Sequence, residues 1–142
     1  MAGNTKTFRE QLSKFNTAVR KKHVALVVRV ARAAHETAFQ MTPIDTSRAM
    51  SGWVSQVNVP FMGEPAYTPG SRGSTLGEAV ALNMTNINDT AAQYKFGQDW
   101  IIRNNVPYIE ILEAGPSGGG SPQAPAGMMS FALQAANRAA KR

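Results

Sequence analysis

The chain has 142 residues, 43% of them hydrophobic, no cysteine and a formal net charge of +6. That is enough for one domain around one core and too apolar for wholesale disorder, and without cysteine neither disulfides nor thiolate metal sites can hold it together. The pI of about 10.1 favours contact with polyanions, nucleic acid first, or a soluble basic surface with no such partner.

Residues 1–10 are polar and lack the apolar stretch of a signal peptide. No run reaches the roughly 18 apolar residues a membrane span needs. The expectation is a soluble single domain with no membrane contact, assembled in a reducing cytoplasm.

Residues 8–41 are expected to form one long helix. Phe8, Leu12, Phe15, Val19, Leu26 and Val30 recur at helical spacing, with Ala34 and Met41 at the edge of the stripe. Val24 and Val28 lie on the opposite side. A helix apolar on two sides is buried twice, here by its own sheet and by a neighbouring subunit. Lys14, Lys21 and Arg32 share a third face, either a solvated basic face or one that meets DNA. His23 and His35 are too far apart to share a metal, and no metal or cofactor is expected.

Pro43 ends the helix, and Thr42-Pro43-Ile44-Asp45-Thr46-Ser47-Arg48-Ala49 is a turn in which Asp45 can bond backbone amides. A strand over 53–59 follows, anchored by Trp53. The loop 60–75 is rich in Pro and Gly and carries Phe61, Met62 and Tyr67. A loop that long either docks a partner or folds back on the core. Residues 76–83 form a short apolar segment, helix or strand, and a separate short helix is expected to start at Asn88-Asp89-Thr90. Sequons at Asn83 and Asn88 are discounted for want of a secretion signal.

Residues 100–104 are read as a second strand, antiparallel to the first. Residues 106–114 are read as a short helix capped by Asn105, with Pro107 in its first turn and Gly115 after its end. Trp100, Ile102, Tyr108 and Leu112 make the stretch 99–115 the expected centre of packing. A flexible connector over 116–125, stiffened by Pro122 and Pro125, leads to a C-terminal helix over 126–142. The fold class is therefore α+β: a long N-terminal amphipathic helix on a small antiparallel sheet, with short helices and a C-terminal helix, the sheet lying in a core of residues 51–115.

The chain shows no nucleophile elbow, no His-Glu-x-x-His and no cysteine nucleophile. Glu110 and Glu113 would share a helix face, but without a third group they make a weak acid/base pair. They suit capping, solvent or a neighbouring subunit better, and the chain is not expected to be an enzyme.

Three motifs occur in order: Thr42-Pro43-x-Asp45-Thr46-Ser47-Arg48, then Asn104-Asn105-Val106-Pro107-Tyr108-x-x-x-Leu112-Glu113-x-Gly115, then Ser121-Pro122-Gln123-Ala124-Pro125-Ala126-Gly127-Met128. From about Val19 onward, with a long helix before and a helix after, this set resembles the tail-completion or neck proteins of tailed double-stranded DNA bacteriophages, a group related to the protein Z of phage lambda. The chain departs from that pattern at Ser47, where the family commonly has Gly, and at Ala114, where it has an aromatic. The Gly-rich link and the loop 60–75 are also longer. The resemblance implies a structural virion protein in a ring of six or twelve copies at the neck, around the DNA path. Its neighbours would be connector, tail terminator or tail tube proteins, and it would be assembled in the host cytoplasm. It also implies subunit contacts; Val24, Val28, Glu110 and Glu113 are the residues expected to make them, with Lys14, Lys21 and Arg32 facing the DNA.

Overall fold

The computed structural model describes residues 2–43, 47–70, 74–115 and 127–142. Helix α1 (Ala2–Gln40) runs unbroken for 39 residues, about 58 Å at 1.5 Å per residue. Neither Gly nor Pro occurs between Asn4 and Gln40 to interrupt it. It ends where the Thr42 hydroxyl donates to the Ala38 carbonyl at 2.7 Å and Pro43 removes the next backbone donor. The same hydroxyl accepts from Trp53 Nε1 at 2.8 Å, which ties the start of the sheet to the end of α1.

The other elements are α2 (Arg48–Ser51), β1 (Trp53–Val57), α3 (Leu76–Gln93), β2 (Trp100–Asn104), α4 (Ile109–Ala114) and α5 (Met128–Ala140). The strands pair antiparallel, with Trp53 opposite Asn104 and Val57 opposite Trp100. The fold is the expected mixed α+β class, mostly helical. Gly52 makes the turn into β1 possible. A Cβ there would lie 2.6 Å from both Asn104 Oδ1 and Val106 Cγ2. Ser47 sits in the left-handed region at φ 64°, where glycine carries no strain.

The core forms where α1 ends. Ala38 and Phe39 meet Met50, Trp53, Ile87 and Ala132, and complete burial of each large side chain contributes about 1.5–3 kcal/mol. Helix α5 runs antiparallel to the second half of α1. Met128 Sδ lies beside the Thr42 hydroxyl at one end, and Arg29 Nε donates to the Ala139 carbonyl at the other. Ala31, Ala38, Ala132 and Ala139 are all buried, and their small side chains let the two helix axes approach closely. The centre of packing is thus the end of α1 and not the stretch 99–115, whose Trp100, Ile102 and Tyr108 are only half-buried while Leu112 is buried.

Several boundaries differ from expectation. Helix α3 is one element of 18 residues, where a short apolar segment and a separate helix start were expected. Polar residues break its apolar pattern, yet Asn83 and Thr90 are buried beside Ala79 and Ile87. Their partners lie in the core, so the buried face of α3 is partly polar by design of its hydrogen bonds. Helix α4 begins at Ile109 after a turn that holds Pro107, with Tyr108 rather than Asn105 at its N-cap. Gly115, at φ 73°, does follow its end. Strand β1 stops at Val57, since Asn58 takes φ 65° and turns the chain. Asp45, Thr46, Pro122 and Pro125 lie outside the described residues.

Candidate interaction surfaces

The two halves of α1 have different surroundings. From Ala31 onward its inner arc, Ala31, His35, Ala38 and Phe39, is buried. Before Val24 every described side chain of the helix is exposed. Phe8 is 63% exposed, Leu12 53%, Phe15 67%, Val19 44% and Leu26 37%. The stripe expected to meet the sheet is therefore the uncovered one. Helical rotation explains it: at about 100° per residue, Val24 and Val28 fall on the arc of Ala31 and His35, and the stripe lies roughly 150° away. Val24 and Val28 are half-buried accordingly. An aromatic side chain hides about 150–250 Å² when buried, so five large side chains this exposed present on the order of 500 Å², the size of patch that marks an interaction site.

The same projecting segment is basic, with Lys6, Arg9, Lys14, Arg20, Lys21 and Lys22 against Glu10 alone. Lys14 and Lys21 are exposed. Arg32, on their face, is occupied: Nη2 donates to Asn88 Oδ1 at 2.8 Å and Nη1 lies 3.6 Å from Glu36. Arg20 sits over the Phe96 ring at 5.0 Å, and His23 meets the same ring edge-on. The basic face that remains open is the projecting one.

The described residues of the three sequence motifs lie close together in space. Ala49, Leu112 and Met128, with Tyr108 and Met41 packed on them, form a second apolar cluster. Asn104 Nδ2 donates to the Ala49 carbonyl at 2.8 Å, and the Arg48 guanidinium lies over Tyr108 at 5.6 Å. Arg48 also holds Glu64 through paired hydrogen bonds of 3.0 and 2.7 Å, and this keeps the Glu64 carboxyl below its ordinary pKa. Asn105 Nδ2 donates to the carbonyls of Phe61 and Gly63 at 2.7 and 2.9 Å. Arg48 and Asn105 therefore pin the long loop from its two flanks, which composition gave no sign of. Phe61 and Tyr67 fold back to half-burial, whereas Met62 stays 71% exposed.

Glu113 acts within the chain. Both carboxylate oxygens accept from the Met129 amide at 3.1 Å, and Gly127 N donates to the Glu113 carbonyl at 2.8 Å. A carboxylate at the first turn of α5 satisfies an open donor and faces the positive end of the helix. Glu110 is exposed.

Two open hollows share Ile102. One, of about 520 Å³, lies among Leu26, Val27, Val30, Trp100, Ile102 and Ala140, with Asp99 at its lip. The other, of about 240 Å³, lies among Trp53, Ile102, Ile109 and Met129, with Glu110, Glu113 and Arg103. They meet at Ile102 of β2 and touch α5 near its two ends, at Met129 and at Ala140.

The buried polar centre joins α1, β1 and α3. His35 is fully buried, with Nε2 2.8 Å from Asn83 Oδ1 and Nδ1 2.6 Å from Ser55 Oγ. Asn83 Nδ2 donates to the carbonyls of Met50 and Ala79, which fixes its oxygen toward the imidazole. Nε2 then carries the proton, Ser55 donates to Nδ1, and Trp100 Nε1 donates to Ser55 Oγ at 2.8 Å. Burial pushes the His35 pKa down to about 4, against the raising effect of the Asn83 bond. With Ser55 and Asn83 buried too, the set is a structural lock. Neither histidine belongs to a metal-binding group, and no group of three or more His, Asp or Glu able to hold a metal occurs among the described residues. No helix among them is long and apolar enough to cross a membrane.

Compared with known proteins, the chain matches no family model, no curated protein and no solved structure.

Proposed function

We propose that the chain is a structural protein of the head–tail junction of a tailed bacteriophage, a neck or tail-completion protein that forms a ring around the DNA path and joins head to tail. What supports the reading is that described residues of the three ordered motifs meet at one node: Thr42 and Arg48 from the first, Tyr108 and Leu112 from the second, Met128 from the third. Motifs that share a packing cluster behave as one structural signature. A projecting helix with an uncovered apolar stripe also suits a chain that associates with copies of itself, in six or twelve, and its open cations Lys14 and Lys21 suit a wall near DNA. The neighbours above and below would be connector, tail terminator or tail tube proteins, and the site of action the virion.

The test is genetic. Particles made without the protein are expected to accumulate as filled heads and separate tails. Joined, infectious particles in its absence would overturn the proposal. The alternative, a DNA-binding protein acting through Lys14, Lys21 and Arg32, has less support because Arg32 is engaged by Asn88 and Glu36. Duplex binding that falls steeply with salt, and drops on Lys14→Ala with Lys21→Ala, would favour it.

A further inference from the structure

We infer that the projecting half of α1 seats its apolar stripe in the α5–β2 groove of a second copy of the chain, so that each copy offers a ridge on one side and a groove on the other. The inference deepens the ring reading above by naming the two surfaces that meet.

Four observations fix the occupant as another copy. First, α1 is a single helix from Ala2 to Gln40, and Leu26, Val27 and Val30 of that helix line the groove. An unbroken helix cannot fold back, so the stripe of one copy never reaches the groove of the same copy. Second, the dimensions agree. Phe8 to Val19 and Met129 to Ala140 each span eleven helical steps, about 16 Å at 1.5 Å per residue. Phe8, Leu12, Phe15 and Val19 thus project over the distance between Met129 and Ala140, the α5 residues that line the two hollows.

Third, the charges are complementary. The segment that carries the ridge is basic, with Lys22 beside the stripe and Arg9 at its edge, and the groove carries Asp99, Glu110 and Glu113 against His23 and Arg103. Pairing two ridges with each other would instead set cation beside cation, which is unfavourable at close range. Fourth, the area is of the right order. The four ridge side chains from Phe8 to Val19 present on the order of 400 Å² of apolar surface, about half of the roughly 800 Å² per partner of a standard interface, and the stems of neighbouring lysines and arginines add to it. Ridge and groove are different surfaces, so the contact is head-to-tail and propagates until it closes, as a ring does.

The experiment uses the full chain and two variants whose changes fall on exposed side chains. Phe15→Glu breaks the ridge, and Glu110→Lys with Met129→Lys breaks the groove. Circular dichroism checks that both fold. Sedimentation equilibrium is expected to give the wild type a mass above the 15.3 kDa of one chain. Each variant alone should give one chain, and an equimolar mixture should give a 1:1 pair that grows no further, because only one intact ridge and one intact groove remain to meet. A monomeric wild type, an assembly that survives Phe15→Glu, or a mixture that does not pair would each overturn the inference. The infectivity test above does not depend on this one: head–tail joining that persists in a Phe15→Glu phage would remove the ridge contact and leave the neck reading standing. Loss of pairing in solution would likewise not touch the genetic result.

Discussion

Within one helix, two apolar faces meet opposite fates. The arc of Ala31, His35, Ala38 and Phe39 is sealed by α5, α3 and β1, while the stripe of Phe8, Leu12, Phe15 and Val19 stands in solvent. The sealed arc combines two alanines, a buried histidine and one phenylalanine; the open stripe holds two phenylalanines, a leucine and a valine. Periodicity reports that a face needs cover. It does not report whether the cover belongs to the same chain.

The largest expected effect tests that contrast with one residue type in the two places. Phe39 is 2% exposed and Phe15 is 67% exposed. Phe39→Ala removes a full side chain from the core and should lower unfolding stability by about 3–5 kcal/mol. Phe15→Ala, on dilute protein where copies are apart, should change it by less than about 0.5 kcal/mol. Urea unfolding followed by tryptophan fluorescence measures both. Equal losses would mean that the projecting half is covered within the protomer, and the comparison would fail.

The sealed half also holds a group that answers to pH. The His35 pKa falls from 6.5 in the open chain to about 4 when folded. The unfolded chain therefore binds the extra proton first as pH falls. Stability is full above about 6.5, declines between there and about 4, and changes no further through this group below that. At about 1.36 kcal/mol per unit the loss is about 3 kcal/mol. His35→Gln should flatten the decline over that window, at a cost in stability at pH 7 from the altered bonds to Ser55 and Asn83. A wild type as stable at pH 4.5 as at pH 7 would contradict the sealed arrangement.

This polar centre also marks where the sequence stopped being legible. Both strands, the long helix and the C-terminal helix were readable because apolar spacing and Pro43 signal them directly. The unity of α3 was not. Its inner face pairs Asn83 with His35 and sets Asn86 against both backbone groups of Ser55, while Thr90 donates to the Ser55 carbonyl. Asn83, Asn86 and Thr90 do recur at helical spacing, but polar residues are expected on the outside, and only their partners on other elements make the spacing meaningful. The surfaces were half legible. The stripe could be found by spacing, yet its exposure depends on where α5 lies, and the groove is made of residues from α1, β2, α4 and α5 that no local pattern brings together.

The smallest effect concerns the cover itself. Glu113 caps the first turn of α5 through the Met129 amide, and α5 lies only against the second half of α1. Glu113→Ala leaves that amide without its carboxylate and removes a negative charge from the positive end of the helix. The expected cost is about 1 kcal/mol. Because the bond is partly exposed, Glu113→Gln should keep part of it through the remaining oxygen. The loss should also be local. Amide exchange ought to quicken in the first turns of α5 and around Met128, where Leu112 and Ala49 pack, and stay unchanged over residues 4–19 of α1, whose side chains are all exposed. A uniform rise along all of α1 would show the two halves to be one cooperative unit, and the division drawn between them would then have to be given up.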